Sequence, residues 1–198
     1  MKVGTILYML TLILIFGCNQ RTENNAYDFA NEINQLETFQ DKKIYLENIF
    51  EDDQKVRNGK KEAEIISKYG YRSDEHKKLA EEQWRQDEIN LQKIEAYLKK
   101  HGYPEKEMGE LATTAPWVVI HHSQEYHTRE KYFEIIYEAY LKGDIDDGAI
   151  SFYLGRMYEM KNGERIKIEG SYKTDDQINI LIQELNLEDR KANAQQSI

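Results

Sequence analysis

The chain has 198 residues with 27 basic and 36 acidic side chains, a net charge of −9 at pH 7. Such a surface repels phosphate backbones, so nucleic acid is excluded as a partner. Two prolines, a modest glycine content and a single cysteine favour a helical domain with no disulfide framework.

The N-terminus carries Lys2, an apolar run from Val3 to Phe16, then Gly17-Cys18. The run is shorter than the roughly 20 residues that span a bilayer, and it has the basic start and small final residue of a secretory signal. Leu14-Ile15-Phe16-Gly17-Cys18 resembles the lipobox of bacterial lipoproteins, in which the cysteine is lipidated and becomes the new N-terminus. Residues 1–17 are therefore expected to be a signal peptide and Cys18 a lipidation site. Loss of Lys2 leaves 26 basic against 36 acidic side chains, a net charge of −10. Acyl chains, at about 0.8 kcal/mol per buried methylene, would hold the protein on the non-cytoplasmic face of a membrane in the cell envelope. Residues 18–26 are polar and aperiodic, as a tether should be.

A helical domain is expected over residues 27–187. Its first helix runs from about Tyr27 to Arg57, with Phe39, Leu46, Ile49 and Phe50 at three- and four-residue intervals, and Asn58-Gly59 breaks it. A short helix over Glu62–Tyr69 ends at Gly70, and Ser73-Asp74-Glu75 opens a long one to about Lys100, stopped by His101-Gly102-Tyr103-Pro104. Ala115-Pro116-Trp117-Val118-Val119-Ile120-His121-His122-Ser123 is apolar on every side, the pattern of a helix buried all round. It is the expected centre of the fold, with His121 and Ser123 at its fraying end. Thr128 opens a helix to about Leu141, and Asp146-Asp147 cap another that carries Tyr153, Met157 and Met160. Asn162-Gly163 either closes that helix or turns a short hairpin near residues 158–168, and closure is the favoured reading. Thr174-Asp175-Asp176-Gln177 is a capping box for a last helix to about Leu185. Residues 188–198 are expected to be a disordered tail. The fold class is all-α.

Helical wheels place polar residues in the middle of apolar stripes. Asp53 and Arg57 continue the Phe39-Leu46-Ile49-Phe50 stripe, with Gln54 beside them. Asp87 lies within the stripe of Trp84, Leu91, Ile94 and Leu98, with Asn90 at its side. His122 shares a face with Leu111, Ala115 and Val118, and Arg156 sits among Phe152, Tyr153 and Met160. Burying an unpaired charge costs several kcal/mol, so these groups should meet one another or line a wet cavity. Two arginines suit bidentate grip of a small anionic ligand. A rival reading makes His122 the general base of a hydrolase-like enzyme, oriented by Asp53 or Asp87. A third makes the cluster purely structural, in a protein that meets only an envelope partner. No metal or cofactor is expected: His122, Glu125 and His127 lack a ligand spacing, and Ser123 lies on no nucleophile elbow.

The ordered motifs Asp53-Gln54-Lys55-Val56-Arg57, Asp87-Glu88-Ile89-Asn90, Gly102-Tyr103-Pro104, Gly109, Trp117 to His122, and Leu154-Gly155-Arg156 resemble a bacterial domain family of unknown function. That family pairs an Asp-Gln-x-x-Arg helix with a Gly-aromatic-Pro turn and a Trp-led apolar segment ending in histidine. The resemblance covers about Leu36 to Tyr172 and implies the same cluster: Asp53, Gln54, Arg57, Asp87, Asn90, His122 and Arg156. This chain has Gly155 where the family usually has Asp, and Ile168 to Tyr172 only loosely echoes the family's Tyr-Gly-Thr-Gln ending. The family carries no established activity, so the resemblance bears on the site and not on the reaction.

Overall fold

A computed structural model describes residues 29–167 and 174–198. The expected signal peptide, the lipidation site and the tether, and the Ile168 to Tyr172 stretch of the family resemblance, lie outside these residues. Among the described residues all regular structure is helical, and the helices form a single domain.

The chain enters through the short helix α1 (Ala30–Asn34), which buries Ile33. The helix expected to run unbroken from Tyr27 to Arg57 is interrupted here. Thr38 is extended, its hydroxyl accepts from the Asp41 amide (3.1 Å), and the Asp41 carboxylate accepts from the Thr38 amide (3.0 Å). This reciprocal capping box starts α2 (Phe39–Val56) afresh. Leu46 and Ile49 face the core, whereas Phe39, counted in the stripe, is exposed. Asn58 caps α3 (Gly59–Tyr69), which buries nothing and lies against α4 (Asp74–His101). Ser73 caps α4, and only the C-terminal half of that helix enters the core, through Asn90, Ile94, Tyr97 and Leu98.

A 3-10 turn (Lys106–Met108) leads to α5 (Glu110–His122), the apolar segment anticipated as the centre. It touches α2, α4, α6 (Tyr126–Lys142) and α7 (Asp147–Asn162) and buries Ala112, Thr113, Ala115, Pro116 and Val118 through His121. Helix α7 continues through Asn162 and ends where Gly163 takes a left-handed conformation (φ 78°), which closes the helix in place of a hairpin turn. Helix α8 (Thr174–Leu185) packs on α7 and α9 (Glu188–Gln196) on α6. The tail expected to be disordered is thus helical through Gln196: Ala194 is buried, and Arg190 Nη1 donates to the Glu130 carbonyl (3.1 Å).

Candidate functional site

Packing α5 against four helices brings its C-terminus beside the C-terminus of α2, the middle of α4, the first turn of α6 and the middle of α7. Asp53, on the last turn of α2, is fully buried (0 % exposed) and is the hub. Its Oδ1 accepts from His122 Nδ1 (2.9 Å) and lies 2.9 Å from Arg57 Nη1, and its Oδ2 accepts from Gln54 Nε2 (2.8 Å). Arg57 also donates through Nη1 to the Asp53 carbonyl (2.8 Å), closing the end of α2, and through Nη2 to Asp87 Oδ1 (2.6 Å). Burial raises the Asp87 carboxyl above the ordinary carboxylate range, against the hydrogen bond and charge of Arg57, which lower it. Carboxylates accept and cannot donate, so the Asp53 contact fixes the His122 proton on Nδ1. Its Nε2 has no hydrogen-bond partner among the described residues.

Asp53, Gln54, Arg57, Asp87 and His122 therefore form one hydrogen-bonded unit. Asn90 does not join it. It is fully buried, its Oδ1 accepts from Gln86 Nε2 (2.9 Å), and its Nδ2 has no partner. Arg156 is not buried among apolar neighbours either: its side chain is partly exposed and pairs with Glu159 (3.0 Å). Helix α7 buries the stripe Ile150, Tyr153, Leu154 and Met157, which turns Phe152 and Arg156 towards solvent. Trp84, assigned to the buried stripe of α4, is likewise exposed, because α4 buries only residues from Asn90 onward.

Two residues that the wheels passed over complete the site. Arg129 is 2 % exposed, and its guanidinium caps the end of α5: Nη2 donates to the His121 and Ser123 carbonyls, and Nε also donates to that of Ser123 (3.4 Å). Its Nη1 lies 3.2 Å from His121 Nδ1. Arginine can only donate, so this nitrogen accepts and the His121 proton sits on Nε2. Burial, followed by the Arg129 guanidinium, the neighbouring His122 ring and the Arg156 and Arg57 guanidiniums, lowers the His121 pKa to about 3. Burial also lowers that of Arg129 to about 10, which leaves it charged at neutral pH. The signal for Arg129 was present, since it precedes Phe133 and Ile136 by four and seven residues on the buried face of α6. Expecting that helix to begin at Thr128 hid it in an end turn. His121, expected to fray, is held by Arg129 and by stacking on Phe152 (4.4 Å between ring centroids).

Arg57, Asp87, His121, His122, Arg129 and Arg156 line an open cavity of about 240 Å³. Three guanidiniums and one carboxylate face it. Among the described residues no carboxylate lies within ion-pair distance of Arg129. His127 lies apart and pairs with Glu130, and no group of three His, Cys, Asp or Glu side chains placed to hold a metal ion occurs among the described residues. The arrangement can hold a small negative group and present an oriented imidazole to it. The chain matches no family model, no curated protein and no solved structure.

Proposed function

We propose that the cavity binds a small anionic ligand, in a protein held at a bacterial cell envelope by lipid on Cys18. The carrying observation is Arg129: it is buried, it lines the cavity, and among the described residues it has carbonyl partners for its N–H groups but no carboxylate for its charge. An anion in the cavity would offset that charge, with Arg156 closing on it from the rim. Calorimetric titration of the full chain with inorganic phosphate and acetate tests the reading. Wild type should bind at least one of them, and Arg156→Met should weaken that binding about tenfold, the loss of one charge-assisted hydrogen bond. No heat with either anion would return the cluster to a structural role.

One observation favours a second reading. A buried carboxylate on Nδ1 with Nε2 unpartnered is how a histidine is oriented as a general base, here towards water attacking an anionic ester. Hydrolysis of 4-nitrophenyl phosphate that disappears in His122→Gln would support it, and binding without turnover would not.

The envelope location is supported by Lys2, the apolar run and Gly17-Cys18. Among the described residues no helix is long and apolar enough to cross a membrane. Cys18→Ser should release the protein from membranes and abolish palmitate labelling, and equal membrane association of both forms would contradict the anchor. We also propose membership of the bacterial domain family of unknown function, supported by the convergence of its motif residues Asp53, Gln54, Arg57, Asp87 and His122 on one hydrogen-bonded unit.

A further inference from the structure

Two large aromatic side chains stand exposed beside the cavity. Trp84, 60 % exposed, lines it one turn before Asp87 on α4. Phe152, 62 % exposed, lies one turn before Arg156 on α7 and stacks one face on the His121 ring, 28° from parallel. Single exposed aromatics are ordinary on protein surfaces. Here, however, Trp84 lines one polar cavity, Phe152 packs on His121, which lines the same cavity, and each shares a helix face with a charged residue that lines it. The cavity, about 240 Å³, falls below the roughly 300–1,000 Å³ of sites that enclose a drug-sized ligand. It has room for an acid group, and whatever carries that group must lie at the mouth, where the aromatic rings are.

We infer that the ligand is a small acid borne on a six-membered ring, aromatic or sugar. Its carboxylate or phosphate reaches Arg129 and Arg156 while a ring face lies on Trp84 and Phe152. This rests on the anion-binding reading above and adds the ring. Both ring types offer the same chemistry to an aromatic side chain, a flat face of weakly polar C–H or π surface. Indole and phenyl groups left in water beside an anion site then have an occupant.

The test is calorimetric titration of the full chain, in detergent, with acetate, inorganic phosphate, benzoate and glucuronate. Wild type should bind benzoate or glucuronate about tenfold more tightly than acetate, a ring-stacking contribution. Whichever acid shows the gain identifies the ring. In Trp84→Ala, whose exposed position should leave the melting curve unchanged, and in Phe152→Ala, which also removes the stacking on His121, the ratio of ring-acid to acetate affinity should fall towards one. Trp84→Phe, which keeps a ring, should preserve most of it. Equal affinity for all three carboxylates, or a gain that survives both alanine substitutions, overturns the ring assignment and leaves the anion site standing. Failure of all four probes to bind wild type overturns the anion site and the ring assignment together.

Discussion

Asp53 is the residue on which the polar unit depends, because it alone accepts from His122, Arg57 and Gln54. Asp53→Ala leaves Arg57 and His122 without their buried partner and should cost about 3–5 kcal/mol. Asp87→Ala should cost less, about 1–2 kcal/mol, because Arg57 keeps Asp53. Urea denaturation of both variants measures the difference, and the reverse order would contradict the hub. His121, beside the unit, gives the fold a pH dependence of definite sign. Its pKa is about 3 in the folded chain against about 6.5 unfolded, so the unfolded state takes up a proton first as pH falls. Its contribution to stability is therefore complete above pH 6.5 and declines towards pH 3, by at most about 5 kcal/mol. His121→Asn, which can still accept from Arg129, should lose stability less steeply than wild type over that window. Parallel curves would show that His121 is not held neutral by its surroundings.

At the scale of the element, α5 combines a buried position with an internal proline. Pro116 has no amide hydrogen for the carbonyl four residues back, a defect of about 3 kcal/mol in a helix interior. Packing on four helices offsets it, and the Tyr103 hydroxyl adds a donor to the backbone nearby, to the Thr113 carbonyl (2.7 Å). Tyr103→Phe removes that donor and should lower stability by about 1–2 kcal/mol in thermal melting, whereas an unchanged curve would mean that water replaces the hydroxyl. The centrality of α5 was legible because a segment apolar on every side has no solvent face to choose. The faces of α4 and α7 were less legible. Each offers two apolar arcs, and a wheel cannot tell which one a neighbour will cover, so Trp84 and Phe152 were placed inside and Arg156 with them. Asp53 and Arg57 were found because the stripe of α2 is one apolar arc that continues into them, Asp87 because it precedes Asn90 and Ile94 by three and seven residues on the arc that α4 does bury, and His122 because it ends the apolar α5. Helix α9 has no apolar stripe to read. It docks through Ala194 and a hydrogen bond from the Arg190 side chain to the Glu130 carbonyl, and neither leaves a periodic trace.

For the whole molecule, the site is a junction between helices, so its geometry depends on parts far from it in sequence. Helix α9 packs on α6, and α6 carries Arg129 in its first turn. Deleting residues 188–198 should therefore lower the melting temperature by several degrees, at roughly 2–4 °C per kcal/mol, and weaken anion binding as well. A truncated chain that melts and binds like wild type would show that α9 is dispensable. The central claim, that a buried arginine without a carboxylate partner marks an anion site, is tested most directly by a crystal structure of the chain grown with selenate and measured at the selenium edge. The account predicts an anomalous peak in the cavity within hydrogen-bonding distance of the Arg129 and Arg156 guanidiniums. Selenate bound only elsewhere on the surface, with water alone between those guanidiniums, would contradict it.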